Sequence, residues 1–179
     1  MHDVIIIGAG VTGAFIARKL SQYKLNVLLL DKETDVGNVT SNANSAIIHS
    51  GYDPVPGTLK AKLNVLGNKM FDEIAEDLDV HFYRIGSLTV VTNEEQLKML
   101  QDLKKRSKEN GVETKIISKE ELFKMEPNVN PNALGALFAP TAGIIDPFNL
   151  VVHVVENAVD NGVKLCLSEN VISIIKNKK

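Results

Sequence analysis

Three glycines near the N-terminus have the spacing of a phosphate-binding turn. Gly8, Gly10 and Gly13 form the pattern G-x-G-x-x-G. In this pattern the first glycine allows a tight turn, the second lets the backbone approach a pyrophosphate, and the third lets a helix pack closely on a strand. Asp31 follows at a distance at which its carboxylate can accept hydrogen bonds from ribose hydroxyls. Together these residues predict dinucleotide binding, without choosing between NAD and FAD.

The segments around the glycines predict a strand, a turn, a helix and a second strand. Residues 4–7 are a continuous β-branched run, which is typical of a strand covered on both faces. The helix is expected to begin near Val11, so its free N–H groups and its dipole point at the phosphates. The run "NVLLLD" predicts the second strand, with Asp31 at its carboxyl end.

A histidine then stands in a long segment of small residues, "VGNVTSNANSAIIHSGYDPVPG". A nicotinamide-binding half would be expected to continue soon with another helix and strand. Small side chains instead let backbone amides approach a flat ring, and Ser, Thr and Asn supply hydrogen bonds to its edge. The segment therefore favours a flavin, and a nicotinamide-dependent dehydrogenase remains a more distant alternative.

The histidine of this segment, His49, is a candidate general base. Oxidation of an alcohol needs a hydride acceptor and a group that takes the hydroxyl proton, and a neutral imidazole titrates near operating pH. The alternative is that His49 only bonds a loop carbonyl. The other histidines, His2, His81 and His153, form no pair with metal-ligand spacing, so we predict no metal site.

Four segments resemble a known family. "GAGVTG", "LDKE", "TSNANSAIIHSGYDPVPGTLKAKLNVLG" and "EPNVNPNALGALFAPTAGIIDP" are similar to the FAD-dependent glycerol-3-phosphate oxidases and dehydrogenases. These belong to the D-amino-acid-oxidase-like flavoproteins, which also include 2-hydroxyglutarate oxidases. The resemblance extends from residue 3 to about residue 175, and "NSAIIHSG" and "GIIDP" are its most specific parts. Where the family usually has Glu, this chain has Asp31.

The resemblance implies FAD as the cofactor and a small anionic secondary alcohol as the substrate. The expected reaction converts glycerol 3-phosphate to dihydroxyacetone phosphate by hydride transfer to flavin N5, with a 2-hydroxy acid as the alternative substrate. It implies that His49 is the catalytic base and contacts the substrate, with Ser45 as a second substrate contact. The residues implied to bind FAD are Gly8, Gly10, Thr12, Gly13, Asp31, Thr40, Ser41, Asn44, Ser45, His49, Ser50, Gly51 and Val171.

The predicted fold class is α/β, a Rossmann-like FAD-binding domain with an inserted α+β substrate domain. Residues 1–52 are the first part of the FAD-binding domain, residues 53–145 are a helix and the first part of the substrate domain, and residues 146–179 return to the FAD-binding domain. Residues 56–80 predict an amphipathic helix. Its apolar stripe is expected to face the core, and consists of Leu59, Leu63, Leu66, Met70, Ile74 and Leu78.

Helix starts are predicted at three capping residues. Asn93 and Ser118 are expected to cap helices, and Asp146 followed by Pro147 predicts another helix start. Strands are predicted at "GSLTVVT", "ETKIIS", "ALGALFAP", "AGIID", "VKLCL" and "NVISII". Arg84 is expected to be a surface residue, with contact to an anionic substrate as the alternative.

Composition limits the partners and the location. The net charge is −2 over 179 residues, which argues against nucleic acid as a partner. No apolar run is long enough for a membrane helix, and the apolar start lacks the basic region of a signal peptide. A single cysteine, Cys166, suits a reducing compartment. A cytoplasmic location is expected, with peripheral attachment to a membrane left open.

The family resemblance also implies further sequence after residue 179. This chain contains no Gly-Asp pair of the kind expected late in the family. We therefore expect an N-terminal portion, truncated at the C-terminus, that is either part of the oxidoreductase or a non-catalytic fragment needing a partner chain. An exposed sheet edge would favour association with the missing C-terminal part or with a second copy.

Overall fold

The computed structural model describes residues 1–176 and has the mixed α/β composition that the sequence predicts. In chain order its elements are β1 (Val4–Ile7), α1 (Val11–Leu20), β2 (Val27–Leu30), a 3-10 helix (Thr40–Asn42), β3 (Ile47–Ile48), α2 (Leu59–Asp77), β4 (Phe82–Tyr83), β5 (Ser87–Val91), α3 (Glu94–Glu109), β6 (Lys115–Ser118), α4 (Lys119–Met125), β7 (Gly135–Ala139), β8 (Gly143–Ile145), α5 (Pro147–Asp160) and β9 (Lys164–Cys166). No helix in this part of the chain is both long and apolar enough to cross a bilayer.

The chain divides into two compact units. The first unit contains Met1–Ala46, Ala75–His81 and the chain from Asp146 onward. The second unit contains Ile47–Ile74 and Phe82–Ile145. The domain ranges given above stay a prediction.

The first unit is built on a parallel sheet in the order β1-β2-β9. Parallel neighbours need a crossover connection, and α1 supplies it between β1 and β2. Helix α1 packs on α5. Its buried residues, Ala14 and Ala17, are small, which suits close packing of the helix. Leu29 in the central strand is fully buried, so the core lies around β2.

The second unit contains two antiparallel sheets. One has the order β5-β7-β6 and the other has the order β3-β8-β4. Two clusters of buried side chains lie around β7: one includes Leu122 and Ala136, and the other joins Val91, Leu100 and Leu137. The sheet around β7 is therefore packed with apolar side chains that come from helices α3 and α4 as well as from its own strands.

The predicted helix caps are confirmed. The side chain of Asn93 accepts an N–H of the first turn of α3, and Ser118 with Glu121 forms a reciprocal capping box at α4. Asp146 Oδ1 accepts the N–H groups of the second and third residues of α5, and Pro147 occupies the first helical position. These starts depend on bonds between residues two or three positions apart, which makes them visible in the sequence.

The expectation that the whole apolar stripe of α2 faces the core is wrong. Ile74 and Leu78 are buried, but Leu63 is 55% exposed. The other exposed members of the stripe are Leu59, Leu66 and Met70. Helical periodicity shows which side chains share a face, but it does not show whether another element covers that face.

The strand predicted at "NVISII" is also absent from the described residues. The chain after β9 runs without regular structure, held by bonds from the N–H of Ser168 to Glu33 O and from the N–H of Glu169 to Asp31 O, both 2.9 Å long. Ile172 is 89% exposed. A β-branched run becomes a strand only where a neighbouring strand pairs with it, and no such pairing occurs here.

Candidate functional site

The glycine turn connects β1 to α1 in the conformation that the pattern requires. Gly8 has a φ of +107°, and its N–H donates to Leu30 O over 2.7 Å. A Cβ at Gly8 would meet no atom within 4 Å, so the turn faces open space there. A Cβ at Gly13 would lie only 1.9 Å from Gly8 O. The helix therefore packs directly on the turn, and this contact requires glycine at position 13.

The N-terminus of α1 is suited to an anion. Its first turn carries no acidic side chain, and Thr12 lies there exposed. Ser41 Oγ accepts the N–H of Val11 over 2.9 Å, and a Cβ at Gly10 would lie 3.0 Å from the same oxygen. The remaining N–H groups of the first turn have no partner within the helix, so they and the helix dipole favour negative charge.

Asp31 lies beside this turn at the end of β2. Its Oδ2 accepts the N–H of Ala9 over 2.6 Å, and its Oδ1 accepts the N–H of Glu33 over 2.9 Å. Its own N–H donates to Cys166 O in β9 over 3.0 Å. Each carboxylate oxygen has a second lone pair, so the side chain can still accept hydrogen bonds from a ligand.

A cavity of about 270 Å³ adjoins Asp31 in the first unit. It brings together three of the predicted cofactor residues, Gly8, Asp31 and Val171. Its other lining residues are Ile7, Lys32, Val39, Glu169 and Asn170. The cavity is therefore bounded by the glycine turn, by the end of β2 and by the segment after β9. Lys32, Val39 and Asn170 were not identified from the sequence, because no motif marks them.

The remaining predicted residues of the first unit lie in and after the 3-10 helix. Thr40 begins this helix, and both Thr40 and Ser45 are exposed. Asn44 is used locally, since its Nδ2 donates to Ser41 O over 2.6 Å and its Oδ1 accepts the N–H of Ala46 over 2.7 Å. Asn42 Oδ1 is buried and has no hydrogen-bond partner among the described residues.

His49, Ser50 and Gly51 belong to the second unit and directly follow β3. Ile48 pairs with Gly143 of β8, which fixes the backbone before His49. Asn68 Nδ2 donates to His49 O over 3.1 Å. Gly51 has a φ of +90°, and a Cβ there would lie 2.8 Å from Val65 Cγ2. The backbone around His49 is therefore held by the strand pairing with β8 before it and by contacts with α2 at His49 and Gly51.

Two side chains of the α3 end hold the rest of the loop. Asn110 Nδ2 donates to Gly51 O over 3.1 Å and to Pro54 O over 2.9 Å. Arg106 Nη1 donates to Asp53 O over 3.2 Å. Sequence analysis did not identify these residues or Asn68. An asparagine inside a helix, where its propensity is poor, was the available signal for Asn68.

The two polar side chains of the loop differ in exposure. The imidazole of His49 is exposed and has no hydrogen-bond partner among residues 1–176, so its ring nitrogens are available to a ligand. Ser50 is only 2% exposed, and its Oγ also lacks a partner in this part of the chain. A buried hydroxyl without a partner is costly, which makes it a candidate for a bond to a bound group or water.

Arg84 is not a free surface residue. Its Nε donates to Asp72 Oδ1 over 2.8 Å, and its Nη2 lies 2.6 Å from Asp72 Oδ2. Its Nη1 and Nη2 also bond Asn68 and the carbonyl of Thr141. These hydrogen bonds from Arg84 lower the pKa of Asp72. The guanidinium is thus engaged within the second unit, and with its side chain 26% exposed, Arg84 is a partly exposed arginine held in an ion pair.

Metal-ligating side chains do not gather in the part of the chain that the structure describes. No group of three or more His, Cys, Asp or Glu residues in that part could hold a metal ion.

Comparison with known proteins identifies the family. The model of a family described as FAD dependent oxidoreductase (DAO) matches residues 3–179. The chain is 54% identical over 177 residues to a glycerol 3-phosphate dehydrogenase of Caloramator mitchellensis, and this match covers 98% of the chain and 37% of the relative. It is 38% identical to a glycerol 3-phosphate oxidase of Mycoplasma pneumoniae, with 98% and 47% covered.

A solved structure agrees with these matches. The dithionite-reduced L-alpha-glycerophosphate oxidase from Mycoplasma pneumoniae with FAD bound superimposes with a TM-score of 0.87 at 36% identity, covering 93% of this chain and 44% of that one. A mitochondrial L-2-hydroxyglutarate dehydrogenase of Dictyostelium discoideum is 37% identical over 82% of the chain, which covers 33% of that relative. The chain thus spans less than half the length of these proteins.

Proposed function

The chain belongs to the DAO family of FAD-dependent oxidoreductases, and we propose that it supplies the FAD-binding turn and the catalytic base of an enzyme that oxidises a small anionic secondary alcohol. The observation that carries this proposal is the convergence of Gly8, Asp31 and Val171 on one cavity beside the glycine turn. Each of these residues was predicted from the sequence as a cofactor contact.

The residues present fit FAD. The turn at Gly8 leaves the space that a Cβ would fill, and the first turn of α1 offers N–H groups without a competing acid. Asp31 and the cavity beside it suit the ribose and adenine. The buried Oγ of Ser50 has no partner within the described part of the chain, as expected for a hydroxyl that bonds a group supplied on binding.

In the proposed reaction, side chains of this chain would accept the proton of the substrate hydroxyl. When bound, FAD supplies a hydride acceptor at flavin N5. An unprotonated ring nitrogen of His49 would accept the hydroxyl proton, while the carbon that bears this hydroxyl would give up its hydrogen as a hydride. The alcohol would thereby become a ketone, losing two electrons and two protons in total. Ser45 is proposed as a second contact to the substrate. The exposure of the His49 ring on a fixed backbone supports this role.

Glycerol 3-phosphate is the proposed substrate. Glycerol 3-phosphate appears in the names of two relatives, each of which matches 98% of this chain. A 2-hydroxy acid is the second candidate, supported by the similarity to an L-2-hydroxyglutarate dehydrogenase. A non-catalytic role, in which this chain needs a partner chain to complete the site, is the alternative of a different class.

Association with another polypeptide is proposed as well. Leu63 and Leu66 on α2 and Ile5 and Ile7 on β1 are large apolar side chains left exposed. Such surfaces favour association, either with a chain equivalent to the rest of the relatives or with a second copy. We propose a cytoplasmic location. Light scattering tests the association, and a monomer at all concentrations would contradict it.

A visible absorption spectrum tests the cofactor proposal. The chain is incubated with FAD, free cofactor is removed by gel filtration, and the bound fraction is measured at the flavin band. We expect retained flavin in the wild type, less in Asp31→Ala, and an unchanged amount in Asp35→Ala, whose carboxylate accepts the N–H of the neighbouring Val36. Retention of NAD without FAD would overturn the proposal, and retention of neither would favour the non-catalytic alternative.

Anaerobic reduction then tests the substrate. Glycerol 3-phosphate and L-2-hydroxyglutarate are added separately to the flavin-loaded protein, and bleaching of the flavin band is followed. Bleaching by glycerol 3-phosphate alone supports the proposed substrate, and bleaching by the 2-hydroxy acid alone favours the second candidate.

A further inference from the structure

Asn68 of α2 is a buried polar residue whose side chain reaches the candidate catalytic loop. It is 6% exposed. Its Nδ2 donates to His49 O over 3.1 Å and to Thr141 O over 2.9 Å, and its Oδ1 accepts from Arg84 Nη1 over 3.1 Å. Both N–H groups of the amide are therefore used to hold backbone carbonyls.

Arg84 determines which way this amide points. A guanidinium only donates hydrogen bonds, so the atom of Asn68 that faces it must be the carbonyl oxygen. The amide nitrogen is then directed at the carbonyl of His49. Arg84 is itself held by Asp72, through Nε at 2.8 Å from Oδ1 and Nη2 at 2.6 Å from Oδ2. Asp72, Arg84, Asn68 and the His49 carbonyl form one continuous chain of charged and polar bonds.

The hydrogen bond from Asn68 is made to the backbone of His49, the proposed base, whose ring must be correctly placed for proton transfer. His49 is exposed, so its side chain is not enclosed as a buried one would be. Its backbone is fixed before it by the pairing of Ile48 with Gly143. The carbonyl of His49 is held by the hydrogen bond that it accepts from Asn68. Without this bond the carbonyl of the peptide that joins His49 to Ser50 loses the donor that helps to set its orientation.

We propose that Asn68 is a positioning residue that holds His49 in place for proton transfer, with its amide oriented by Arg84. This inference rests on the proposed role of His49 as the base. The competing explanation is that Asn68 only ties two loops together and affects stability alone. The two explanations differ in whether the effect of Asn68 passes through His49.

The first experiment measures backbone order by NMR in the isotopically labelled 179-residue chain. In Asn68→Ala we expect the amide order parameters of residues 49–51 to fall from the rigid range near about 0.85 toward about 0.6. Asn68→Asp is the second variant, since it keeps an oxygen that can accept from Arg84 while it removes the donor to His49 O. The exposed Asn128→Asp is its control, because it makes the same change of charge elsewhere in the second unit.

The ring resonances of the histidines provide an internal control. The chain has 4 histidines, and His153 lies in the first unit, where its Nδ1 is 2.6 Å from Leu78 O. We expect the signals of His49 to change in both Asn68 variants while those of His153 stay in place. Unchanged order at residues 49–51 in both variants would overturn the proposal, whether or not the protein turns over a substrate.

Turnover in the flavin-loaded protein separates positioning from stability. We expect Asn68→Ala to lower kcat about tenfold or more, with KM and flavin retention little changed. In a His49→Gln background the same substitution should have no further effect, because its action passes through His49. An equal loss in both backgrounds would overturn the proposal. Absence of turnover in the wild type would instead count against the proposed function and leave the NMR test decisive for Asn68.

Discussion

The Oδ2 atom of Asp31 lies 2.6 Å from the backbone nitrogen of Ala9, so the acid at the end of β2 holds the glycine turn that follows β1. Its other oxygen accepts the N–H of Glu33. The carboxylate therefore has a structural role in addition to the ligand contact proposed for it. A side chain that shapes the turn and also faces the cavity couples the conformation of the turn to the ligand.

We predict that Asp31→Asn destabilises the chain in the absence of cofactor. An amide offers one acceptor atom where the carboxylate offers two, so its NH2 group would face a backbone N–H. The expected loss is about 1–3 kcal/mol of unfolding free energy. Urea denaturation followed by circular dichroism measures it, with Asp35→Asn as the control. Equal midpoints for wild type and Asp31→Asn would contradict the structural role.

Gly13→Ala is predicted to be strongly destabilising. The added Cβ would lie 1.9 Å from Gly8 O, which forces the helix away from the turn. We expect a loss of at least about 2 kcal/mol and poor flavin retention. The matched control is Gly67→Ala in α2, where a Cβ meets nothing within 4 Å. That variant should gain about 0.5–1 kcal/mol through helix propensity. The prediction fails if both variants unfold at the wild-type midpoint.

His49→Gln is predicted to separate cofactor binding from turnover. The glutamine keeps a polar side chain but cannot take a proton near neutral pH. We expect flavin retention to be unchanged and kcat to fall by about 10²–10⁴-fold. His2→Gln at the N-terminus is the control. Turnover equal to that of the wild type would remove His49 from the mechanism.

The ion pair of Asp72 with Arg84 predicts a pH-dependent contribution to stability. Hydrogen bonds from Arg84 lower the pKa of Asp72, so the folded chain binds this proton less readily than the unfolded chain. The contribution is complete above the unfolded pKa of about 3.9 and is lost as the pH falls through the lower folded value. Asp72→Asn should cost about 0.5 kcal/mol at pH 7, because Asp72 is largely exposed.

Unfolding midpoints at pH 7 and in strong acid check this prediction. The difference between wild type and Asp72→Asn should shrink as the pH falls below the titration of Asp72. Asp102→Asn, on the exposed face of α3, is the control and should show no such convergence. A difference that persists undiminished in acid would show that the ion pair is not its source.

Features that depend on neighbours in sequence could be predicted. The glycine spacing predicted the close packing that the structure shows at Gly13, and the caps at Asn93, Ser118 and Asp146 followed from residues two or three positions apart. In each case the residues involved are at most five positions apart, so the residue types alone indicate the contact.

Features that join distant segments could not be predicted. Asn68 bonds residues 19 and 73 positions away, and no local pattern signals either partner. The stripe of α2 shows the same limit, because periodicity identifies an apolar face without identifying what covers it. The partners of Arg84 could not be predicted for a related reason: Asp72 and Asn68 lie on the preceding helix, one turn apart, and come close to Arg84 only once the chain has reversed.

The pairing of β2 with β9 has a consequence for the order of folding. Leu28 lies opposite Lys164, so β2 pairs with a strand that is synthesised much later than β2 itself. The pairs of the second unit, such as Val91 with Gly135, close over shorter stretches of chain. During synthesis, the antiparallel sheet β5-β7-β6 can form before β9 is available to pair with β2. The sheet that carries the glycine turn therefore gains β9 only after the residues of the second unit have been synthesised.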